Sequence, residues 1–377
     1  MATRLLHGVA GRAVLVVLLV AGLAVGGWFV VSQQRDAAAT GAGPPPPVRT
    51  VDGLPPVAMA AAPANLQTPV QPQTGLSQWA APIAAKTGIP ARALAGYAKA
   101  EVWLRRDEPE CHLSWVTLAG IGSVASDHGR SNGDHLGADG TEATPLGTVP
   151  VQGADGGHSV VQGSGPMQLP DSLWRDYRSP ASGGGAADPQ NVDDAALTAG
   201  RALCAHGRDL ATGNGWWEGI RSLRDSDLYL ERVLATADLY GTLADSASAV
   251  PAAAVEAVRF AIAQLGLPYV WGGNGPGHGQ QGFDCSGLTT ASYADAGVHL
   301  LRTADSQFHS LPAVSGDQQP RLGDLVFYGN PSVFIHHVGI YIGNGQMINA
   351  PDFGMAVQVG AVRHAGDDYA GAARPVG

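Results

Sequence analysis

Phe283-Asp284-Cys285-Ser286-Gly287-Leu288 places a thiol at the head of an apolar-periodic run. Further along come His337-Val338-Gly339-Ile340-Tyr341-Ile342-Gly343 and then Met347-Ile348-Asn349-Ala350-Pro351. A thiol, an imidazole and a side-chain amide in that order are the parts of a cysteine hydrolase, in which a thiolate attacks a carbonyl and the acyl-enzyme is then hydrolysed. Working outward, Pro251 opens a helix with Val255, Val258, Ile262 and Leu265 on one stripe, ended by Gly266. Cys285 starts a second helix that runs to about Ala296 and closes at Gly297. Short β-like runs follow at Leu325–Tyr328, His337–Ile342, Met347–Asn349 and Val357–Val359. A helix carrying the nucleophile, followed by a small antiparallel sheet carrying the base, is an α+β layout.

A thiol with an ordinary pKa near 8.5 is activated at a helix N-terminus and beside an imidazole, and Cys285 is expected to have both. The first-turn N–H groups of such a helix are the natural donors to a developing oxyanion. Neighbours on a strand point to opposite faces. His337 shares a face with Gly339 and Tyr341, whereas Val338, Ile340 and Ile342 form the apolar face. His336 is expected at the strand's entrance, so His337 is the better base. Asn349 follows the Gly343-Asn344-Gly345 turn and can bond the far imidazole nitrogen, fixing the tautomer. Taken alone, Cys285 reads as a small buried hydrophobe; the downstream histidine strand and polar third residue favour catalysis.

The 377 residues suggest two or three domains. With 14% charged residues, 52 glycines and 26 prolines, globular parts joined by unstructured stretches are expected. The net charge of −10 and the lack of a basic run exclude nucleic acid as a partner. Ala13 to Val31 is an uninterrupted apolar run, long enough at about 1.5 Å per residue to span a bilayer core of about 30 Å. Arg4 and Arg12 precede it, which places the N-terminus in the cytoplasm and everything after residue 32 outside. The alternative is a cleaved signal peptide and a secreted protein, with Ala37-Ala38-Ala39 available to a peptidase. Residues 33–75 are rich in Pro, Ala and Gly and are expected to be a spacer. From 76 to 246 the pattern is helical. Trp115–Val124 follows Ser114 as N-cap, Asp193–Cys204 has an acidic first turn, and Leu230, Val233, Leu234 and Ala237 repeat at helical spacing. Gly133–Gly165 reads as a surface loop. Of three cysteines, Cys111 and Cys204 lie in this one region and are expected to pair, leaving Cys285 free. Three reduced cysteines in a cytosolic protein is the other reading.

The chain's C-terminal part resembles the NlpC/P60 family, papain-like peptidases of bacterial cell walls. The strings that carry the resemblance are Pro268-Tyr269-Val270-Trp271-Gly272-Gly273, the Cys285 string, Gly323-Asp324-Leu325-Val326-Phe327-Tyr328, and the His337 and Asn349 strings. It covers roughly residues 252–373, within an expected domain 250–377. It implies Cys285 as nucleophile, His337 as base and Asn349 as the polar third residue. Tyr269 matches the family tyrosine that lies against the nucleophile, and Asp284 and Ser286 flank the thiol as supporting residues. The implied substrate is the peptide stem of peptidoglycan, at the bond between γ-D-glutamate and the diamino acid.

Residues 76–246 resemble an actinobacterial soluble lytic transglycosylase domain, through Ser126-Asp127-His128-Gly129-Arg130, Gly165-Pro166-Met167-Gln168 and Asp188-Pro189-Gln190-Asn191-Val192-Asp193-Asp194. The resemblance implies an all-α, lysozyme-like fold. That family cleaves glycan with a glutamic acid, and here its position holds Ala125. A methyl group neither donates nor takes a proton. Glu101 and Glu142 are the conceivable substitutes, and Leu223-Arg224 replaces the family's later Tyr-Asn pair. The histidines His112, His158, His278 and His309 lack ligand spacing, so neither metal nor cofactor is expected. The whole reads as a multidomain, membrane-tethered peptidoglycan endopeptidase whose middle domain grips glycan without cutting it. The competing readings are a wall amidase or acyltransferase with the same triad, and a non-catalytic wall-binding component of an export or conjugation apparatus.

Overall fold

The computed structural model describes residues 72–376, except 153–157, 160–162, 184, 247–248 and 317. The expected membrane segment Ala13–Val31 and most of the expected spacer lie outside the described residues. Among the described residues, no helix is long and apolar enough to cross a membrane.

A helical region comes first: α1 (Pro72–Thr87), α2 (Ala91–Asp107), α3 (Trp115–Ser126), α4 (Asp171–Tyr177), α5 (Val192–Cys204), α6 (Gly213–Leu223) and α7 (Asp227–Asp245). Because α1 begins at Pro72, it takes up the last residues expected to be spacer. α3 is apolar nearly all round and is correspondingly central, with Trp115, Leu118 and Ile121 fully buried. It lies hard against α7: a Cβ at Gly120 would sit 2.7 Å from the Val233 carbonyl oxygen. Ser114 holds the N-cap position of α3, yet its hydroxyl makes no cap bond. The Trp115 N–H donates instead to the Glu101 carboxylate of α2, at 2.8 Å. α5 is capped by Asn191, whose side-chain oxygen accepts from the Asp193 N–H at 3.0 Å. Buried Asp194 accepts from the N–H groups of Ala181 and Ser182, each at 2.6 Å, and pins the preceding loop to α5. The expected disulfide joins Cys111 to Cys204 across 93 residues. Closing a loop of that size removes unfolded-state entropy worth about 4–5 kcal/mol in the chain-entropy account.

The Gly133–Gly165 stretch differs from the expected surface loop. It carries an antiparallel pair, β1 (Val151–Gln152) with β2 (His158–Ser159). Its first part also turns inward, burying Leu146 and the Glu142 side chain. Single bridges tie Leu136 to Glu142 and Thr141 to Asn191, so tertiary pairing overrides a locally structureless composition.

The C-terminal region is α+β. α8 (Ala252–Ala263), α9 (Cys285–Asp295) and α10 (Ala304–Ser310) pack on a five-stranded antiparallel sheet of order β6-β5-β4-β3-β7. Its strands are β3 (Leu325–Asn330), β4 (Phe334–Gly343), β5 (Gln346–Asn349), β6 (Gln358–Ala361) and β7 (Tyr369–Ala373). The Asn344-Gly345 turn between β4 and β5 has φ of 50° and 69°, the backbone a two-residue hairpin needs. β4 starts at Phe334, earlier than expected, so His336 is inside the strand rather than at its entrance. Tyr328 pairs with His337 and Gly329 with Ile335, leaving His336 as the extra residue of a bulge. The bulge keeps Ile335 in the core beside Val338 and Ile340 while His336 stays exposed.

A single apolar cluster runs through both regions. α7 is the contact element. Val359 N–H of edge strand β6 hydrogen-bonds the buried Glu231 carboxyl, and Arg232 donates to the Leu265 carbonyl at 3.2 Å. Thr242 lies against Gly343 so closely that a Cβ there would stand 2.5 Å from the hydroxyl oxygen.

Candidate active site

Cys285 is the first residue of α9, and Asp284 is its N-cap, accepting from the Gly287 N–H at 2.5 Å. Glycine is required at Gly287, because a Cβ there would collide with the Gly273 carbonyl oxygen. That carbonyl also accepts the Asp284 N–H at 3.1 Å, which fixes the entry to the helix. Arg302 forks onto Asp284, with Nη1 to Oδ1 at 3.0 Å and Nη2 to Oδ2 at 2.8 Å. The same Nη1 donates to the Ser286 hydroxyl at 2.9 Å. Asp284 and Ser286 therefore form a part-buried bracket on either side of Cys285, and Arg302 holds the bracket closed.

His337 rises from β4 and Asn349 from β5, on one face of the sheet. The His337 Nε2–H donates to Asn349 Oδ1 at 3.1 Å, which leaves Nδ1 as the acceptor nitrogen. Gly339 makes this reach possible: a Cβ there would be 2.6 Å from Met347 Sδ and 3.2 Å from Asn349 Cβ. Cys285, His337, Asn349 and Tyr269 all line one cleft of about 710 Å³, together with Tyr328 and His336. The sulfur also lies 3.9 Å from the His336 carbonyl oxygen, to which its S–H donates. Tyr269 sits on a bridge to Phe283 and packs edge-on against Phe353, at 5.2 Å between centroids. Trp271 and Phe353 stack at 6.1 Å and stand exposed at the cleft mouth.

The electrostatics differ from the expectation of an activated thiolate. Burial raises the Cys285 pKa above its ordinary value, and the Asp284 charge raises it further; N–H groups of Ser286 and Val338 oppose both. Burial lowers His337 to about 4, against the hydrogen bond that it donates to Asn349 and with a further push from His336. Tyr269 is pushed up to about 12, by burial first and then by Cys285. At neutral pH the cleft thus holds a thiol and a neutral imidazole. The helix terminus does not outweigh removal of the sulfur from water.

Several site residues were not anticipated. Arg302 had one sequence signal, as the only cation between α9 and α10 that could neutralise Asp284. Buried Gln307 accepts from the Thr289 hydroxyl at 2.9 Å and donates to the Leu301 carbonyl at 2.8 Å, so it ties the Arg302 loop to α9. His336 pairs with Asp368 at 2.7 Å on the cleft rim.

In the helical region, Ala125 is buried at the end of α3. Of the two conceivable substitutes, Glu101 is occupied by the Trp115 N–H and by an ion pair with Arg105. Glu142 is 5% exposed, its oxygens lack hydrogen-bond partners among the described residues, and burial raises its pKa to about 7.

Residues 266–370 match the model of the NlpC/P60 family, so the C-terminal region carries a domain of that family. Among curated proteins, the chain is 44% identical over 119 residues to the peptidoglycan endopeptidase RipA of Mycobacterium tuberculosis, covering 29% of this chain and 24% of that protein. It is 38% identical over 138 residues to the bifunctional muramidase/DL-endopeptidase CwlT of Bacillus subtilis, covering 36% of each. The match thus spans about a quarter to a third of the length of these curated relatives. Among solved structures, the peptidoglycan hydrolase RipB of Mycobacterium tuberculosis aligns at 35% identity and a TM-score of 0.29, over 33% of this chain and 65% of that one.

Proposed function

We propose that this chain is a peptidoglycan endopeptidase that hydrolyses stem peptides with Cys285 as nucleophile, His337 as base and Asn349 as the residue that orients the base. The observation that carries the reading is the Asn349–His337 bond at 3.1 Å, which directs Nδ1 rather than Nε2 to proton transfer in the cleft that holds Cys285. The names of the relatives matched by this region supply the substrate class.

Because thiol and imidazole are both neutral at rest, the proton moves from Sγ to Nδ1 as the sulfur attacks the scissile carbonyl. First-turn N–H groups of α9 receive the developing oxyanion. The imidazolium returns its proton to the leaving amine, and water then releases the acyl group by the reverse sequence. The bond between γ-D-glutamate and the diamino acid is the proposed scissile bond. An anchor at Ala13–Val31 would hold the enzyme on the outer face of the membrane. The helical region, as a degenerate lytic transglycosylase-like domain, would hold glycan without cutting it. Ala125 offers no proton, Glu101 is committed to the cap of α3, and Glu142 is buried away from open space.

Wall sacculi digested by the full chain and by Cys285→Ala, with products weighed by mass spectrometry, test the reading. Stem peptides cut after D-glutamate by the native chain alone are expected. Release of whole stems would make the enzyme an amidase, and anhydro-muropeptides would show that the helical region cuts.

A further inference from the structure

A second cavity, of about 700 Å³, lies where the helical region meets α8. Its walls come from the ends of α1 and α3, from one face of α7 and from α8. Three guanidiniums line it, Arg130 after α3, Arg232 on α7 and Arg259 on α8, against one carboxylate, Asp127. A second carboxylate, Glu256, pairs with Arg259 from just outside the wall, which leaves an excess of one positive charge in a chain of net charge −10. Thr236 and Tyr240 bring hydroxyls to the same wall, and Leu239 and Ile262 bring apolar surface.

The polar groups are held in place. Arg130 is fixed by Asp127 at 2.7 Å. Arg259 donates to the Thr87 carbonyl at 2.9 Å and to Glu256 at 3.0 Å, two of the five N–H donors a guanidinium carries. The Tyr240 hydroxyl donates to the Ser123 hydroxyl at 3.2 Å and bonds His128 Nε2 at 2.9 Å, and His128 Nδ1 shares a bond with Tyr97 at 3.1 Å, so Tyr240 is a fixed part of the wall. Groups anchored in this way lose little conformational freedom when a ligand arrives. Pockets between packed units, with convergent polar groups on partly apolar walls, are where small ligands bind.

We propose that this cavity binds a carboxylate-bearing muropeptide, with Arg130 and Arg259 pairing its carboxylates through their remaining N–H donors and the Thr236 hydroxyl meeting its sugar. A bare ion does not need a space of this size or walls of this mixed character. A disaccharide carrying a short acidic peptide matches the Thr236 hydroxyl, the apolar strip and the residual positive charge. Occupancy would clamp α8 to α3 and α7, so the site exists only while both regions stay docked. The inference rests on the proposed wall-degrading role for the source of its ligand; the charge and volume stand without it.

The test is calorimetric titration of the full chain carrying Cys285→Ala with a soluble disaccharide-tripeptide. The same titration is repeated after adding Arg130→Gln with Arg259→Gln, and separately Ile262→Trp, which fills the cavity and leaves the charges. Each addition is expected to weaken binding at least tenfold, with thermal melting showing that the chain is folded. Unchanged affinity in both, or binding of inorganic phosphate but not of the disaccharide-tripeptide, would overturn the proposal. Arginine-dependent binding, together with failure of the native chain with Cys285 intact to cleave sacculi, would sink the endopeptidase reading alone. Cys285-dependent cleavage without arginine-dependent binding would sink only this one.

Discussion

Arg302 grips both carboxylate oxygens of Asp284, at 3.0 and 2.8 Å, at the N-cap of the helix that begins with Cys285. The Asp284 charge is one of the two causes that raise the Cys285 pKa, so the guanidinium acts on the thiol through its neighbour. Arg302→Met leaves that charge uncompensated. The thiol pKa is then expected to rise further, which lowers the thiolate fraction and with it the rate of alkylation by iodoacetamide at pH 7, by about tenfold. Arg302→Lys, which keeps the charge but not the fork, is expected to fall between. Equal alkylation rates in all three proteins would show that the bracket is only structural.

The pH dependence of kcat/KM follows from the neutral pair. As the proposed base, His337 must be unprotonated to take the proton, and its pKa is lowered to about 4, so activity should rise through about pH 4. It should then stay level at neutral pH, because burial keeps Cys285 protonated above its ordinary range. Asn349→Asp places a carboxylate on Nε2 and favours imidazolium, which moves the acid limb to higher pH. Asn349→Ala removes the hydrogen bond that raises His337 and moves the limb lower. Initial rates on a soluble muropeptide from pH 3 to 9 decide the matter, and an acid limb unmoved by either change would contradict it.

Gly339→Ala is expected to act on both fold and site. The added methyl meets Met347 Sδ at 2.6 Å and crowds Asn349 at 3.2 Å. Overpacking of this kind costs about 1–3 kcal/mol. Denaturant midpoints would register the loss, and kcat should fall further than stability alone accounts for, since Asn349 is pushed from His337.

The seam between the two regions carries a titration of its own. Burial raises Glu231 to about 8, against the hydrogen bond from the Val359 N–H. In the unfolded chain this carboxyl ionises near its ordinary value of 4.5. Between those values the unfolded state binds fewer protons, so the contribution of Glu231 is full below about pH 4.5 and is lost as pH rises toward 8. Glu231→Gln should therefore melt at a higher temperature than the native chain at pH 8 to 9, and the gap should close toward pH 4. Scanning calorimetry at both ends of the range would reveal a gap of the wrong sign at once.

How much of this was legible beforehand differs by element. The helix that starts at Cys285 and the strand around His337 were readable because capping and alternation are local, with Asp284 before an apolar run and Val338, Ile340 and Ile342 alternating after His337. β7 was not readable, because Tyr369-Ala370-Gly371-Ala372-Ala373 lacks β-branched residues and pairs only because β3 presents an open edge. The inward turn of residues 133–146 was equally hidden, since its bridges to Asn191 and within the loop join positions far apart or of no periodic pattern.

Taken by itself, the amino-acid order singled out the thiol at 285, the imidazole at 337 and the amide at 349 as the candidates for the proposed chemistry, because residue type and local period are written along the chain. Tertiary structure alone decided their protonation. Burial of the sulfur and the ring leaves a neutral pair where the helix terminus alone would have implied a thiolate, and desolvation depends on what the whole fold places around a group. It also decided that Arg302 pairs with Asp284 beside Cys285 and that α7 supports strand β6, since both are contacts between segments that no local pattern links.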